Sequence, residues 1–272
     1  MARSLGRTPH HPITKSPDRQ ISSYWDRSQW PLQALYFLMP LLVLYEIGTV
    51  TYAPTGNERL PPIWAESLLA YFFHLFGVTG YYLPGVIVVV VLVCWHLVRR
   101  DLWRPEPALY GLMAMESLVL AMPLFIFGLV LFREHAAQFS TAALALAQGD
   151  GIDQIPSWQA GVVFSIGAGI YEELLFRLIA IALLHFVLAD VLALSEAQSA
   201  VGAMGLSAVA FAVYHFLGPT DFHFGKFLFH TLAGIYFAAI YVLRGFGIVA
   251  ATHAIYDVLV VTALFYSGGK LG

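Results

Sequence analysis

The chain has 272 residues, of which 59% are hydrophobic and only 11% charged, with a mean hydropathy of +0.72 and a formal net charge of −3. A soluble domain runs at about 45–50% apolar and about 25% charged, so an ordinary soluble globular class is excluded, and the slightly acidic balance leaves no footprint for nucleic acid. The single cysteine, Cys94, excludes a disulfide framework and a multi-cysteine metal site.

Residues 1–29 are polar, with Pro, His and Arg, and read as a disordered cytoplasmic tail. No short apolar core is followed there by a small-residue cleavage site, so the first apolar segment is expected to stay as an anchor. Residues 30–135 form an N-terminal group of spans. The first runs from Leu32 to Thr51 and contains Glu46; the second, Leu83 to Val98, precedes the basic run RRDLWR; the third, Leu109 to Phe132, has Glu116 near its start. Between the first two lies PPIWAESLLAYFFHLFG, residues 61–77, which is too short to cross a bilayer and predicts an interfacial or re-entrant helix. Residues 133–157 are polar or alanine-rich, with QGDGIDQIP as a loop.

A second group, residues 158–266, carries the polar motifs. Trp158 to Leu188 is 31 residues long. About 20 residues cross a bilayer, so this segment requires tilt, a break or an overhang. Gly161, Gly167 and Gly169 mark close packing or bending within it. Ala197 to Leu217, Phe227 to Leu243 and Ile248 to Tyr266 complete the set. The predicted fold is therefore an all-α polytopic transmembrane bundle of seven spans, or eight if the long segment divides. With seven spans and a cytoplasmic N-terminus, nine Lys and Arg residues fall inside and four outside, as the positive-inside rule demands. An eight-span arrangement satisfies the same rule, so charge fixes the N-terminus and not the later orientation. The expected setting is multi-pass in the cell (inner) membrane, with the bilayer itself as a partner.

Within the long segment the sequence GIYEELLFR places Glu172, Glu173 and Arg177 in otherwise apolar surroundings. Each charge costs about 2.5–3.5 kcal/mol at a helix centre on insertion scales, so it requires a reason. Glu173 and Arg177 are i and i+4 and can pair on one helix face. Glu172 is rotated about 100° away and is left for other work, such as that of a general base. Two further histidines accompany these acids. FAVYH puts Phe211 and His215 one turn apart, and ATHAIYD does the same for His253 and Asp257. His74, His96, His185 and His230 read as ordinary core histidines, and Glu46 and Glu116 as interior hydrogen-bonding groups or helix-packing glue. The set Glu172, Glu173, Arg177, His215, His253 and Asp257 can activate water and stabilise an oxyanion. It can equally bind a divalent metal or relay protons.

The three elements EExxxR, FxxxH and HxxxD, in that order on separate apolar segments, resemble the motifs of the CPBP family of intramembrane proteases, also called the CAAX-protease or ABI family. The resemblance spans roughly residues 158–266. It implies an endopeptidase of glutamic type in a helical membrane bundle, acting without a cofactor on a membrane-associated or lipidated peptide. Glu172 would activate water with the help of His215, Glu173 and Arg177 would hold the site, and His253 would stabilise the oxyanion. The third motif usually ends in Asn, and this chain has Asp257. An ionised carboxylate cannot donate a hydrogen bond, so the expected role of Asp257 is to orient His253. Two alternatives stand beside this reading. One is a zinc metallopeptidase with Glu172, His215 and His253 as ligands; the other is a non-catalytic membrane scaffold or accessory protein.

One geometric demand follows. His215 ends one segment and His253 lies near the start of another that runs the same way, so straight spans would put them at opposite faces. Their convergence requires a helix that starts deep, re-enters or tilts strongly, with Gly218-Pro219 and Gly245-Phe246-Gly247 as candidate breaks.

Overall fold

Long apolar runs can satisfy their main-chain polar groups in hydrocarbon only as helices or closed barrels, and this chain takes the first course. The structure is a computed structural model that describes residues 23–53, 59–60, 62–131, 157–217 and 222–268. Among the described residues there are nine helices and no strand: α1 (Tyr24–Arg27), α2 (Pro31–Thr51), α3 (Trp64–His74), α4 (Leu83–Arg99), α5 (Pro107–Leu131), α6 (Trp158–Val191), α7 (Glu196–Tyr214), α8 (Phe224–Arg244) and α9 (Phe246–Gly268). The tail before Ser23, the QGDGIDQIP loop and the Gly218-Pro219 break lie outside the described residues.

Helix starts follow local chemistry. Pro31 and Pro107 open α2 and α5, where a missing N–H costs nothing. Ser157 caps α6 by accepting from the Ala160 N–H at 3.2 Å. Ser195 and Gln198 form a reciprocal capping box at the start of α7. Six helices, namely α2, α5, α6, α7, α8 and α9, are long and apolar enough to cross a membrane, and α4 is a shorter apolar helix of 17 residues. The protein is thus an integral, multi-pass helical bundle whose seven apolar helices coincide with the seven expected segments. The long segment does not divide. α6 runs unbroken for 34 residues, roughly 50 Å at the α-helical rise, so it overhangs a bilayer instead of crossing twice. Large apolar side chains such as Val90, Val119, Val130, Leu183 and Val201 point outward, the reverse of a soluble surface and suited to lipid. α3, at 11 residues, is too short to cross. It packs on α6 and α4 and leaves Tyr71, Phe72, Leu75 and Phe76 exposed, as a helix at a membrane interface does.

Two acids of the N-terminal half, Glu116 and Glu46, are paired with arginines outside their own helices. Arg244, at the end of α8, contacts Glu116 of α5 through two nitrogens, at 2.5 and 2.9 Å. Tyr24 of α1 donates to the same carboxylate, and Trp25 lies under the guanidinium at 3.9 Å. Burial, with the Glu116 carboxylate beside it, pushes the Tyr24 phenol up to about 12. At the other end of the bundle Arg59 binds Glu46 at 2.5 Å and also donates to Thr49 and to the Tyr81 carbonyl. The last part of the polar tail is therefore a capped helical turn that closes one end of the bundle.

That closure meets the geometric demand raised by the sequence. α8 and α9 are joined by Gly245 alone, at φ +81°, and every residue from Arg244 to Ala254 is buried. The first turns of α9 therefore lie inside the bundle, beneath α1 and against α2, where Gly247 lets Ala34 approach. α9 is the central helix and packs most extensively on α6. The crossing is set by Gly169: a Cβ there would stand 2.6 Å from the Ala250 carbonyl oxygen and from the Ala254 nitrogen. Backbone cannot yield as a side chain tip does, so Gly169→Ala is expected to destabilise the protein by about 1–3 kcal/mol, read as a lowered Tm in detergent. Gly205→Ala, which projects into open space, should leave Tm unchanged or raise it. Equal Tm values for the two variants would show that the crossing relaxes.

Candidate active site

Three helices bring the predicted residues together. α6 supplies Glu172, Glu173 and Arg177; α7 ends at His215; α9 supplies His253 and Asp257. All six side chains are buried. After Glu173 the winding of α6 widens to a π-helix over Leu174–Ala180, a form that concentrates at functional sites. Ser207 of α7 donates to the Phe176 carbonyl of this stretch at 2.6 Å.

Glu173 and Arg177 form the expected i,i+4 pair, Nε to Oε2 at 3.0 Å. The guanidinium also donates to the Gly234 carbonyl of α8 at 3.3 Å and lies 4.4 Å from the centre of the Phe211 ring. The other oxygen of Glu173 accepts from His253 Nδ1 at 2.7 Å. Glu173 thus faces α8 through Arg177 and α9 through His253. Glu172 is separate from that pair, as the helical offset requires. Its Oε1 accepts from the Tyr214 hydroxyl at 3.2 Å. Its Oε2 lies 3.8 Å from His215 Nε2 and 3.9 Å from His253 Nε2, and none of these three atoms has a hydrogen-bond partner among the described residues.

The hydrogen bonds fix the tautomer of His215. Its Nδ1 is 2.7 Å from the Phe211 carbonyl one turn back. A carbonyl can only accept, so Nδ1 carries a proton, and in the neutral ring it is the unprotonated Nε2 that is turned toward Glu172. His253 stacks on Phe237, 4.5 Å between centres and 18° between planes. Its Nε2 stands 3.4 Å from Asp257 Oδ2. Three carboxylates therefore face this imidazole, Glu172 among them; the short orienting bond comes from Glu173, with Asp257 as a looser neighbour.

Sequence reasoning overlooked two groups. His230 of α8, read as an ordinary core histidine, lies with its ring 4.2 Å from that of His215 and donates from Nδ1 to the Lys226 carbonyl at 2.6 Å. Nothing in the spacing along the chain links it to His215, because the contact is between two helices. Tyr214 was passed over although it precedes His215 directly; the FAVYH motif was the available signal. A cavity of about 720 Å³ lies elsewhere, between α2, α3 and the start of α4, with Tyr45, Arg59, Glu66 and Tyr71 among its walls. Its lining does not include Glu172, His215, His230 or His253. Among the described residues no group of three or more His, Cys, Asp or Glu side chains is placed to hold a metal ion.

The buried pair has a measurable consequence. Arg177→Met leaves Glu173 without its counter-charge in an apolar interior and should cost about 3–5 kcal/mol. The double variant Arg177→Met/Glu173→Gln should recover part of that loss in thermal unfolding. A single variant no less stable than the double one would show that charge compensation is not what Arg177 supplies.

Two comparisons give nothing: no curated protein and no solved structure matches the chain. A family model does, described as type II CAAX prenyl endopeptidase Rce1-like, over residues 154–259. That segment runs from the start of α6 into α9 and includes all six predicted side chains. It is the same grouping to which the three motifs pointed. Over residues 154–259 the chain is thus similar to the Rce1-like CAAX prenyl endopeptidase family, in agreement with the resemblance carried by the three motifs.

Proposed function

We propose that the protein is an intramembrane endopeptidase that hydrolyses a peptide bond in a membrane-associated or lipidated substrate, with Glu172 as the general base. The observation that carries this reading is the placement of Glu172 Oε2 within 4 Å of two imidazole nitrogens on two other helices. Contacts of this length between polar atoms suit a bridging water. Glu172 would take a proton from that water as its oxygen attacks the substrate carbonyl carbon, and would return the proton to the amine that leaves. The two histidines have opposite tasks. His215, with its proton held on Nδ1, offers Nε2 as an acceptor to the water. His253 already donates Nδ1–H to Glu173, so it can donate to an oxyanion only as the imidazolium, with protons on both nitrogens. Glu173 and Asp257 are the carboxylates beside it that would balance that charge. The description of the matching family, a prenyl endopeptidase, supports a lipid-modified tail as the substrate class.

Glu172→Gln should abolish cleavage, and Asp257→Asn should retain substantial activity, because Glu173 still orients His253. The measurement is turnover of a farnesylated peptide with a CAAX terminus by the purified protein in vesicles. An inactive but folded Asp257→Asn would overturn the lesser role given to Asp257. Activity lost to a chelator and restored by zinc, with stoichiometric zinc in the purified protein, would replace this mechanism by the metallopeptidase one. A proteolysis-dependent phenotype that survives Glu172→Ala would point to the accessory role. Substrate trapping with Glu172→Gln, followed by identification of the retained membrane peptide, names the substrate.

A further inference from the structure

We propose that Tyr214 is a positioning residue for Glu172 and that α3, outside the segment shared with the family, holds it in place. This rests on the reading of Glu172 as the base. Tyr214 is buried, and its hydroxyl has two partners. The Ala65 N–H, in the first turn of α3, lies 2.9 Å away, and Glu172 Oε1 lies 3.2 Å away. A backbone N–H can only donate, so the hydroxyl accepts from Ala65 and its own proton is directed at Glu172. One side of the carboxylate is thereby occupied. The other oxygen, Oε2, is the one left facing His215 and His253.

The ring is fixed as firmly as the hydroxyl. It lies edge-on to Phe176 of the π-helical stretch at 5.2 Å and edge-on to His215 at 5.0 Å. α3 is fastened independently of this contact. Glu66, next to Ala65, accepts from the Tyr45 hydroxyl of α2, and Ala65 and Leu69 are buried. Ala65 needs an acceptor for its N–H because it stands among the first four residues of its helix, which have no intrahelical partner. The polar demand of one helix end is thus met by the same hydroxyl that orients a carboxylate on α6. The N-terminal half of the chain consequently supplies part of the catalytic geometry instead of serving only as an anchor.

The test compares Tyr214→Phe with the unaltered full-length protein in phosphatidylcholine vesicles. The substitution keeps the ring packing and removes only the hydroxyl. With the farnesylated CAAX peptide as the probe, kcat should fall about ten- to a hundred-fold, the range of one hydrogen bond to a charged group, while KM stays the same. Infrared difference spectroscopy gives a second readout that does not need turnover. The Glu172 carboxyl band, assigned by its absence in Glu172→Gln, should shift in Tyr214→Phe. An unshifted band would overturn the contact, and a shifted band with unchanged kcat would overturn the positioning role. If Glu172→Gln still cleaves the peptide, the base assignment fails, and the band shift still reports on the contact by itself.

Discussion

A carboxylate enclosed in an apolar bundle must be compensated at both oxygens, and Glu173 is the place where this chain does so. One oxygen faces Arg177 and the other takes the proton of His253 Nδ1. Through Arg177 it is tied to the carbonyl of Gly234 on α8, and through His253 it is tied to α9. The imidazole that faces Glu172 makes its short bond to this acid while its ring stacks on Phe237. Glu172 is left outside this pairing because its neighbour takes both Arg177 and the short bond of His253.

Much of this was legible in the sequence. The apolar runs gave the seven helices, because length and hydropathy alone decide which segments can span. The offset of Glu172 from Glu173 and Arg177 followed from 3.6 residues per turn, and the pair formed where the spacing put it. The need for His215 and His253 to meet called for a helix that starts deep, re-enters or tilts strongly, without choosing among these; in the structure the first turns of α9 are buried. What was hidden lies between helices. Glu46 and Glu116 have arginine partners that no local spacing shows, since Arg59 is held by a bend in the chain and Arg244 comes from a helix made much later. The stacking of His230 on His215 depends on how α7 and α8 face each other. The wider winding after Glu173 leaves no periodic trace, because seven residues are too few to define a period. Asp257 was assigned the orienting bond by its one-turn spacing from His253, and a residue 80 positions away in sequence makes the shorter one.

The two halves of the chain differ in kind and cooperate in detail. The family match begins at α6, and the residues that line the site by side chain all follow it. Yet the end of the bundle where α9 begins is sealed by α1, Glu116 and Ala34, and α3 reaches the site by a main-chain N–H. A bundle built from α6 to α9 alone would expose Arg244 and the first turns of α9, both of which are buried here.

The pairing of Glu116 with Arg244 also bears on how the protein is made. The two residues are 128 positions apart. At about 5–20 residues per second of synthesis, the acid waits roughly 6–25 s for its arginine to emerge. During that interval α5 has a carboxylate near one end with no cation to meet it. Tyr24, made long before, shares that carboxylate with Arg244 in the folded chain. The short helical turn that closes the finished bundle thus joins groups from early and late parts of the described chain at one acid.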